Sequence, residues 1–215
     1  MIVYTSIFNN NDRLPEPLIK NKNIEYICFT DGLKRSKKSI WKIKTVDGIY
    51  DGTRNNRYYK INSHLFFPSE EIVLYLDPTF LIIKDFYNKI EEWLGDKDIA
   101  IRPHPKRKSI YEEAEYLINN KPHKIDSKEL IIKQMNMLKN EDYPESEPLC
   151  EGGFIIRRNT EQVKKFNEMW WNIVKNYSKR DQLSFNYVSW KLGIGYNLIE
   201  RKEVEEYTRR IAWHP

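Results

Sequence analysis

Glu71-Ile72-Val73-Leu74-Tyr75-Leu76-Asp77 decides how the rest of the chain is read. From Ile72 to Leu76 no charged residue interrupts the run, so the stretch Glu71 to Leu76 lacks the alternation of a strand with one wet face. An unbroken apolar run is the pattern of a parallel strand buried on both faces. Asp77-Pro78 ends it. Working outward, Ile2 to Ile7, Glu25 to Thr30, Asp98 to Arg102 and Phe154 to Ile156 read as further strands. Ser39 to Val46 alternates apolar and basic residues, as a half-exposed strand does. Between them, helical patterns run over Asn55 to Phe67, Asp85 to Leu94, Ile110 to Asn119, Ser127 to Lys139, Thr160 to Tyr177 and Asp181 to Leu192. Strands alternating with helices predict a single α/β domain with a mainly parallel central sheet flanked by helices.

The strongest helix is Thr160 to Tyr177, where Val163, Phe166, Trp170, Ile173, Val174 and Tyr177 make one apolar stripe. Tyr58, Ile61 and Leu65 repeat at helical spacing before Pro68. Asp126, with Glu129 three residues on, reads as the cap of the Ser127 to Lys139 helix. Gly193 ends the helix that Asp181 begins.

Composition narrows the class. The 215 residues are 40% hydrophobic and 31% charged, with 14 Tyr and 6 Trp, an ordinary balance for a soluble domain with a sizeable core. A net charge of +5 suits phosphate-bearing small ligands but is too diffuse to argue for nucleic acid. Cys28 and Cys150 lack metal-ligand spacing and form no disulfide framework, which fits a reducing compartment. Cys28 reads as a buried thiol. No signal-peptide pattern opens the chain, and no apolar run approaches the roughly 18 residues that span a bilayer. The expectation is a soluble cytoplasmic protein that makes at most a peripheral membrane contact.

In open α/β sheets ligands bind outside the carboxyl ends of the strands, and Asp31 and Asp77 stand at two such ends. Asp77 reads either as a ligand for a divalent cation or a ribose hydroxyl, or as the cap of the turn before Pro78. Arg54, Arg57 and Lys60 recur every third residue and share one helix face, either to grip a diphosphate or as a solvated face. His104 lies in a loop stiffened by Pro103 and Pro105, with Arg107 and Lys108 beside it. It is a candidate for work on an acceptor or a phosphate, or a solvated loop residue. Glu151-Gly152-Gly153 offers backbone that a ligand can approach closely, or a plain turn. Asp181-Gln182 can orient sugar hydroxyls or support a cationic transition state, or Asp181 can simply cap its helix. His214 can close a metal site against Asp77. No phosphate-binding loop or dinucleotide fingerprint occurs.

These segments resemble a known family. Tyr26-Ile27-Cys28-Phe29-Thr30-Asp31, Arg57-Tyr58-Tyr59-Lys60, Tyr75-Leu76-Asp77, His104-Pro105-Lys106-Arg107-Lys108-Ser109, Arg157-Arg158-Asn159, Trp170-Trp171 and Arg180-Asp181-Gln182-Leu183-Ser184-Phe185 are similar, in order, to the glycosyltransferase-like domain catalogued as domain of unknown function 616. The resemblance implies a GT-A-like fold, distantly similar to family 8 glycosyltransferases. It also implies a nucleoside-diphosphate-sugar donor and a glycan acceptor, with surface polysaccharide synthesis as one setting. On it, Thr5, Asp31, Arg57, Lys60, Asp77, Gly152 and Gly153 serve donor binding, with Asp31 toward the base and Arg57 and Lys60 near the diphosphate. Asp181 and Gln182 stand beside the transferred sugar. His104, Arg107 and Glu151 serve acceptor or phosphate. Asp77 and His214 hold Mn2+ or Mg2+. Thr79 stands where family 8 has a second carboxylate, which puts metal dependence in question. The substitution also favours a second class of protein, a non-catalytic glycan- or protein-binding module on the same fold. Asp181-Gln182 and the basic helix face argue against that alternative.

Overall fold

The protein is described by a computed structural model covering residues 1–9, 13–121, 126–145 and 148–211. The first strand, β1 (Ile2–Ile7), is buried throughout and lies parallel to β2 (Glu25–Thr30), which lies parallel to β3 (Trp41–Thr45) at the half-exposed edge. On the other side of β1 runs β4 (Ile72–Leu76), buried along its whole length and parallel to β1. Its second neighbour, β7 (Cys150–Arg158), is antiparallel to it. Beyond β7 come β6 (Ile99–Pro103) and the short β8 (Asn197–Leu198), giving the seven-strand order β3-β2-β1-β4-β7-β6-β8. The mainly parallel expectation therefore holds, with β7 as the reversed strand. A separate ribbon pairs β5 (Phe80–Ile82) with β9 (Thr208–Arg210).

Helices cover both faces. On one face lie α1 (Gly52–Ile61), α2 (Ser63–Phe66), α4 (Ile110–Asn120), α5 (Lys128–Asn140), α6 (Glu161–Asn176) and α7 (Phe185–Leu192). Their apolar residues form two clusters, one around Trp170 and Phe166, the other around Tyr4, Phe29 and Tyr59. The opposite face packs α3 (Ile90–Leu94), α8 (Arg201–Tyr207) and the ribbon on Val3, Leu74 and Phe154. Among the described residues no helix is long and apolar enough to cross a membrane. Cys28 is buried, and burial pushes its thiol up to about 12.

Several local expectations need correction. The helix read over Asn55 to Phe67 breaks at Asn62, whose side chain turns back to the Tyr58 carbonyl. The break re-phases the next turn, and Leu65 ends up exposed. Ser127, not Asp126, caps α5 by accepting the Leu130 N–H. Asp126 instead pairs with Arg54 at 2.7 Å and accepts the Lys179 N–H. Arg54 also donates to the carbonyls of Val174 and Tyr177, so it ties the start of α1 to the end of α6 rather than joining the face of Arg57. The glycine pair lies inside β7, not in a turn before it.

Candidate active site

The site begins with how α6 delivers Asp181. Its buried stripe seats Trp170 in the core, and the Trp170 indole N–H donates to the Asp181 carbonyl at 3.1 Å. The buried Gln134 of α5 grips both sides of the same turn. Its amide donates to the Leu183 carbonyl at 2.8 Å, and its oxygen accepts the Ser178 N–H. Asp181–Leu183 therefore forms a fixed 3₁₀ turn ahead of α7. The Asp181 side chain caps nothing. It points to α1, where Arg57 Nε meets Oδ1 at 2.8 Å and the Lys60 ammonium pairs with Oδ2. Asp181 and Lys60 are each 2% exposed. Burial pushes the Asp181 carboxyl up, but Arg57 and Lys60 outweigh it and hold the group well below the usual carboxylate range.

The floor is the glycine pair. A Cβ on Gly152 would lie 2.7 Å from Lys60 Nζ and 3.0 Å from Asp181 Oδ2; one on Gly153 would lie 2.9 Å from Asp77 Oδ2. Any side chain at either position would push into these polar groups. The β6–β7 register also breaks here: Ile101 faces Ile155, whereas Arg102 faces Glu151. Such irregularities recur beside active sites, where they re-aim side chains. Asp77 follows β4, its N–H donating to the Gly153 carbonyl at 2.9 Å. The Lys60 ammonium also sits over the Tyr75 ring, 5.1 Å from its centroid.

Arg157 holds Lys60 in place. Fully buried, it donates to the Lys60 carbonyl at 2.6 Å, to the Ile61 carbonyl and to Asn167, while the Tyr4 hydroxyl donates to the same Lys60 carbonyl at 2.7 Å. The guanidinium satisfies carbonyls at the end of α1, where the helix dipole favours positive charge. Arg180 adds a further cation. It donates to the Gln182 amide oxygen at 2.9 Å and lies 3.8 Å from the buried Glu113.

The remaining expected residues are placed less uniformly. Asp31 is exposed at the end of β2 and accepts the Asn9 N–H. Thr5 lies within β1, 1% exposed, with its hydroxyl unbonded. Arg107 is taken up by an ion pair with Glu113 and packs on Tyr116. His104 Nδ1 accepts the Lys106 and Arg107 N–H groups, and Nε2 faces the Arg107 guanidinium. Burial and that guanidinium pull its pKa down to about 4, so it organises the loop as a neutral ring. Glu151 is held by Arg102, Arg201 and Arg210. His214 lies outside the described residues.

A divalent cation needs several oxygen or nitrogen ligands. The site offers Asp77, and Thr79 is not a carboxylate. Asp181 and Glu151 are committed to ion pairs. Among the described residues no three His, Cys, Asp or Glu side chains form a set that could hold a metal. The described residues thus do not fit the implied Mn2+ or Mg2+ site.

Together, a mostly parallel sheet with one reversed strand and a polar cluster at its carboxyl edge define the class: a GT-A glycosyltransferase fold. The chain superposes on the apo WbbM bifunctional glycosyltransferase with a TM-score of 0.54 at 11% identity, covering 92% of this chain and 38% of that one. It superposes on the apo form of the glycosyltransferase GlyE of Streptococcus pneumoniae TIGR4 with a TM-score of 0.50 at 10% identity, covering 94% of this chain and 45% of that one. At such identities the likeness is one of fold. Residues 1–210 match the family described as TOD1/MUCI70, glycosyltransferase-like domain, and the chain belongs to that family. A curated relative, the probable hexosyltransferase MUCI70 of Arabidopsis thaliana, is 30% identical over 225 residues, 92% of this chain. The chain spans 38% of that relative's length.

Proposed function

We propose that the protein transfers a hexosyl unit from a nucleoside-diphosphate sugar to a glycan, with surface polysaccharide as one acceptor class. The observation that carries this reading is the buried Arg57–Asp181–Lys60 cluster over Gly152. Burying Asp181 and Lys60, with Arg57 largely covered beside them, is expensive, and here the expense falls at the edge of the sheet where such folds bind ligands. Arg57 and Lys60 share the Asp181 carboxylate, Arg180 adds a third cation beside Glu113, and Asp77 lies close by. Three cationic donors gathered in one place suit a diphosphate. Burial lowers the Lys60 pKa and Asp181 opposes that shift; the carboxylate also holds Arg57 and Lys60 aimed before the ligand arrives. Gly152 and Gly153 make room for Lys60, Asp181 and Asp77 to come together beneath the sugar, with Gln182 held by Arg180 to meet its hydroxyls.

In the transfer step an acceptor hydroxyl oxygen bonds to the anomeric carbon and the bond from that carbon to the diphosphate oxygen breaks; its electron pair leaves with the diphosphate, which takes up the hydroxyl proton directly or through solvent. Arg57, Lys60 and Arg180 neutralise that charge, while the ionised Asp181 favours positive charge on the sugar. Thr79 in place of a carboxylate favours a second reading, a module that binds the same ligands without turnover. The test is nucleoside-diphosphate release from a panel of nucleotide sugars, with and without glycan acceptors, in EDTA and in Mn2+. Turnover that persists in EDTA supports transfer with protein cations carrying the charge. Turnover only with Mn2+ keeps the transferase but requires a metal site completed outside the described residues. Binding without turnover supports the module, and neither binding nor turnover rejects both readings.

A further inference from the structure

A second ionic cluster lies beyond the glycine pair, toward β6, and the transfer step does not use it. Glu151, 8% exposed, accepts Arg102 Nη2 and Arg201 Nη1 on Oε2, each at 2.6 Å, and Arg210 on Oε1. Arg102 and Arg210 both lie against the Phe80 ring, 4.8 and 5.0 Å from its centroid. Phe80 and Arg210 face each other across the β5–β9 ribbon, which fixes the geometry.

The charges do not balance. Glu205 reaches Arg201 at 3.6 Å from the solvent side, so among the ion pairs of the described residues three guanidiniums share two carboxylates. Arg102 is 1% exposed, and its Nε makes no hydrogen bond. Burial, with repulsion from Arg201 and Arg210, lowers its pKa. A buried cation with an idle donor and like-charged neighbours is a group that an incoming anion relieves. The Arg201 and Arg210 side chains keep 26% and 49% of their exposure, so N–H groups remain open to a ligand.

Position in the sheet indicates which ligand. Along the carboxyl edge come Asp31 after β2, Asp77 after β4, the glycine pair on β7, then Arg102 on β6. Neighbouring strands are about 4.8 Å apart, so the cluster lies on the far side of the glycine pair from Asp31. A donor with its base toward β2 and its diphosphate at Arg57 and Lys60 points its sugar toward the β7–β6 side of the edge. What lies beyond the sugar is the acceptor.

We propose that Arg102, Arg201 and Arg210, gathered on Glu151, form a subsite for an anionic group of the acceptor, a carboxylate or phosphate carried by the glycan. The assignment to an acceptor rests on the transferase reading above. The test is calorimetric binding of three probes to the full chain: a uronic-acid oligosaccharide, its carboxyl-reduced counterpart and a phosphorylated oligosaccharide. Nucleoside diphosphates are titrated in parallel. A charged probe is expected to bind at least about tenfold tighter than the neutral one, and Arg201→Gln to remove that preference. Arg201→Lys restores part of it, and nucleoside-diphosphate affinity in Arg201→Gln stays within about twofold of wild type. Which charged probe binds separates carboxylate from phosphate. Equal binding of charged and neutral probes, no binding of any probe, or charged-probe binding untouched by Arg201→Gln in a normally folded protein overturns the subsite. Parallel loss of nucleoside-diphosphate affinity in Arg201→Gln would move the cluster to the donor. If no nucleoside diphosphate binds while charged-probe binding still depends on Arg201, the anion site stands and the transferase reading fails.

Discussion

The Lys60 ammonium and the Asp181 carboxylate, from opposite halves of the chain, meet as a buried ion pair directly over Gly152. Arg57 shares the carboxylate. Asp181→Asn keeps the shape but leaves two buried cations without a counter-charge. The expected loss is about 3–5 kcal/mol in urea unfolding, since breaking a buried pair strands the partner charge. A loss below about 1 kcal/mol, the range of exposed pairs, would mean that the pair is not buried as described.

Gly152→Ala tests the floor. The new methyl would sit 2.7 Å from Lys60 Nζ and 3.0 Å from Asp181 Oδ2 and must push the pair apart. The expected cost is about 1–3 kcal/mol of stability, together with weakened donor binding. Gly32→Ala is the control, because a Cβ there meets nothing within 4 Å. Equal behaviour of the two variants would contradict the close approach.

Arg157→Leu is expected to weaken donor binding without touching the ligand. It removes the Arg157 bonds to the Lys60 and Ile61 carbonyls and to Asn167, leaving the Lys60 carbonyl with the Tyr4 hydroxyl alone. Stability should fall by roughly 2–4 kcal/mol. If Arg157→Leu loses stability but binds donor as well as wild type at a temperature where it is folded, Arg157 does not position Lys60.

Features set by near neighbours in the chain are legible in the sequence, and those set by distant partners are not. The unbroken run of β4, the stripe of α6 and Gly193 at the end of α7 are local signals, and each lies where its pattern predicts. Asp77, Arg57, Lys60, Gly152, Gly153 and Asp181 were legible as candidates, and the fold brings them to one edge. Asp126 follows cap spacing, yet Arg54 claims its carboxylate from far along the chain. Glu151 reads as an available acid until three arginines from β6, α8 and β9 close on it. Arg157 and Arg180 lie in the matching segments, but nothing in their spacing shows that one holds a carbonyl and the other an amide.

His104 sets an acid response. Its pKa falls from the ordinary imidazole value near 6.5 to about 4 in the folded protein. The unfolded chain therefore binds more protons between those values, and stability drops as pH falls from about 6.5 toward 4. Asp181, held low, begins to lose its contribution at about pH 5 as the unfolded carboxyl protonates, so it adds slope only at the acid end of this window. His104→Asn keeps an acceptor for the Lys106 and Arg107 N–H groups but cannot titrate, so its unfolding free energy should vary less between pH 6.5 and 4.5. Parallel pH profiles for the two proteins would show that His104 is not held neutral by its loop.

The most direct test of the central claim is a calorimetric titration of nucleoside diphosphates into wild-type protein and Arg57→Gln, at pH 7 in EDTA. The account predicts that at least one nucleoside diphosphate binds wild type and that Arg57→Gln, folded by circular dichroism, binds it about tenfold or more weakly. Binding to neither protein, or equal binding to both, would contradict the assignment of the Arg57–Asp181–Lys60 cluster to a diphosphate-sugar donor.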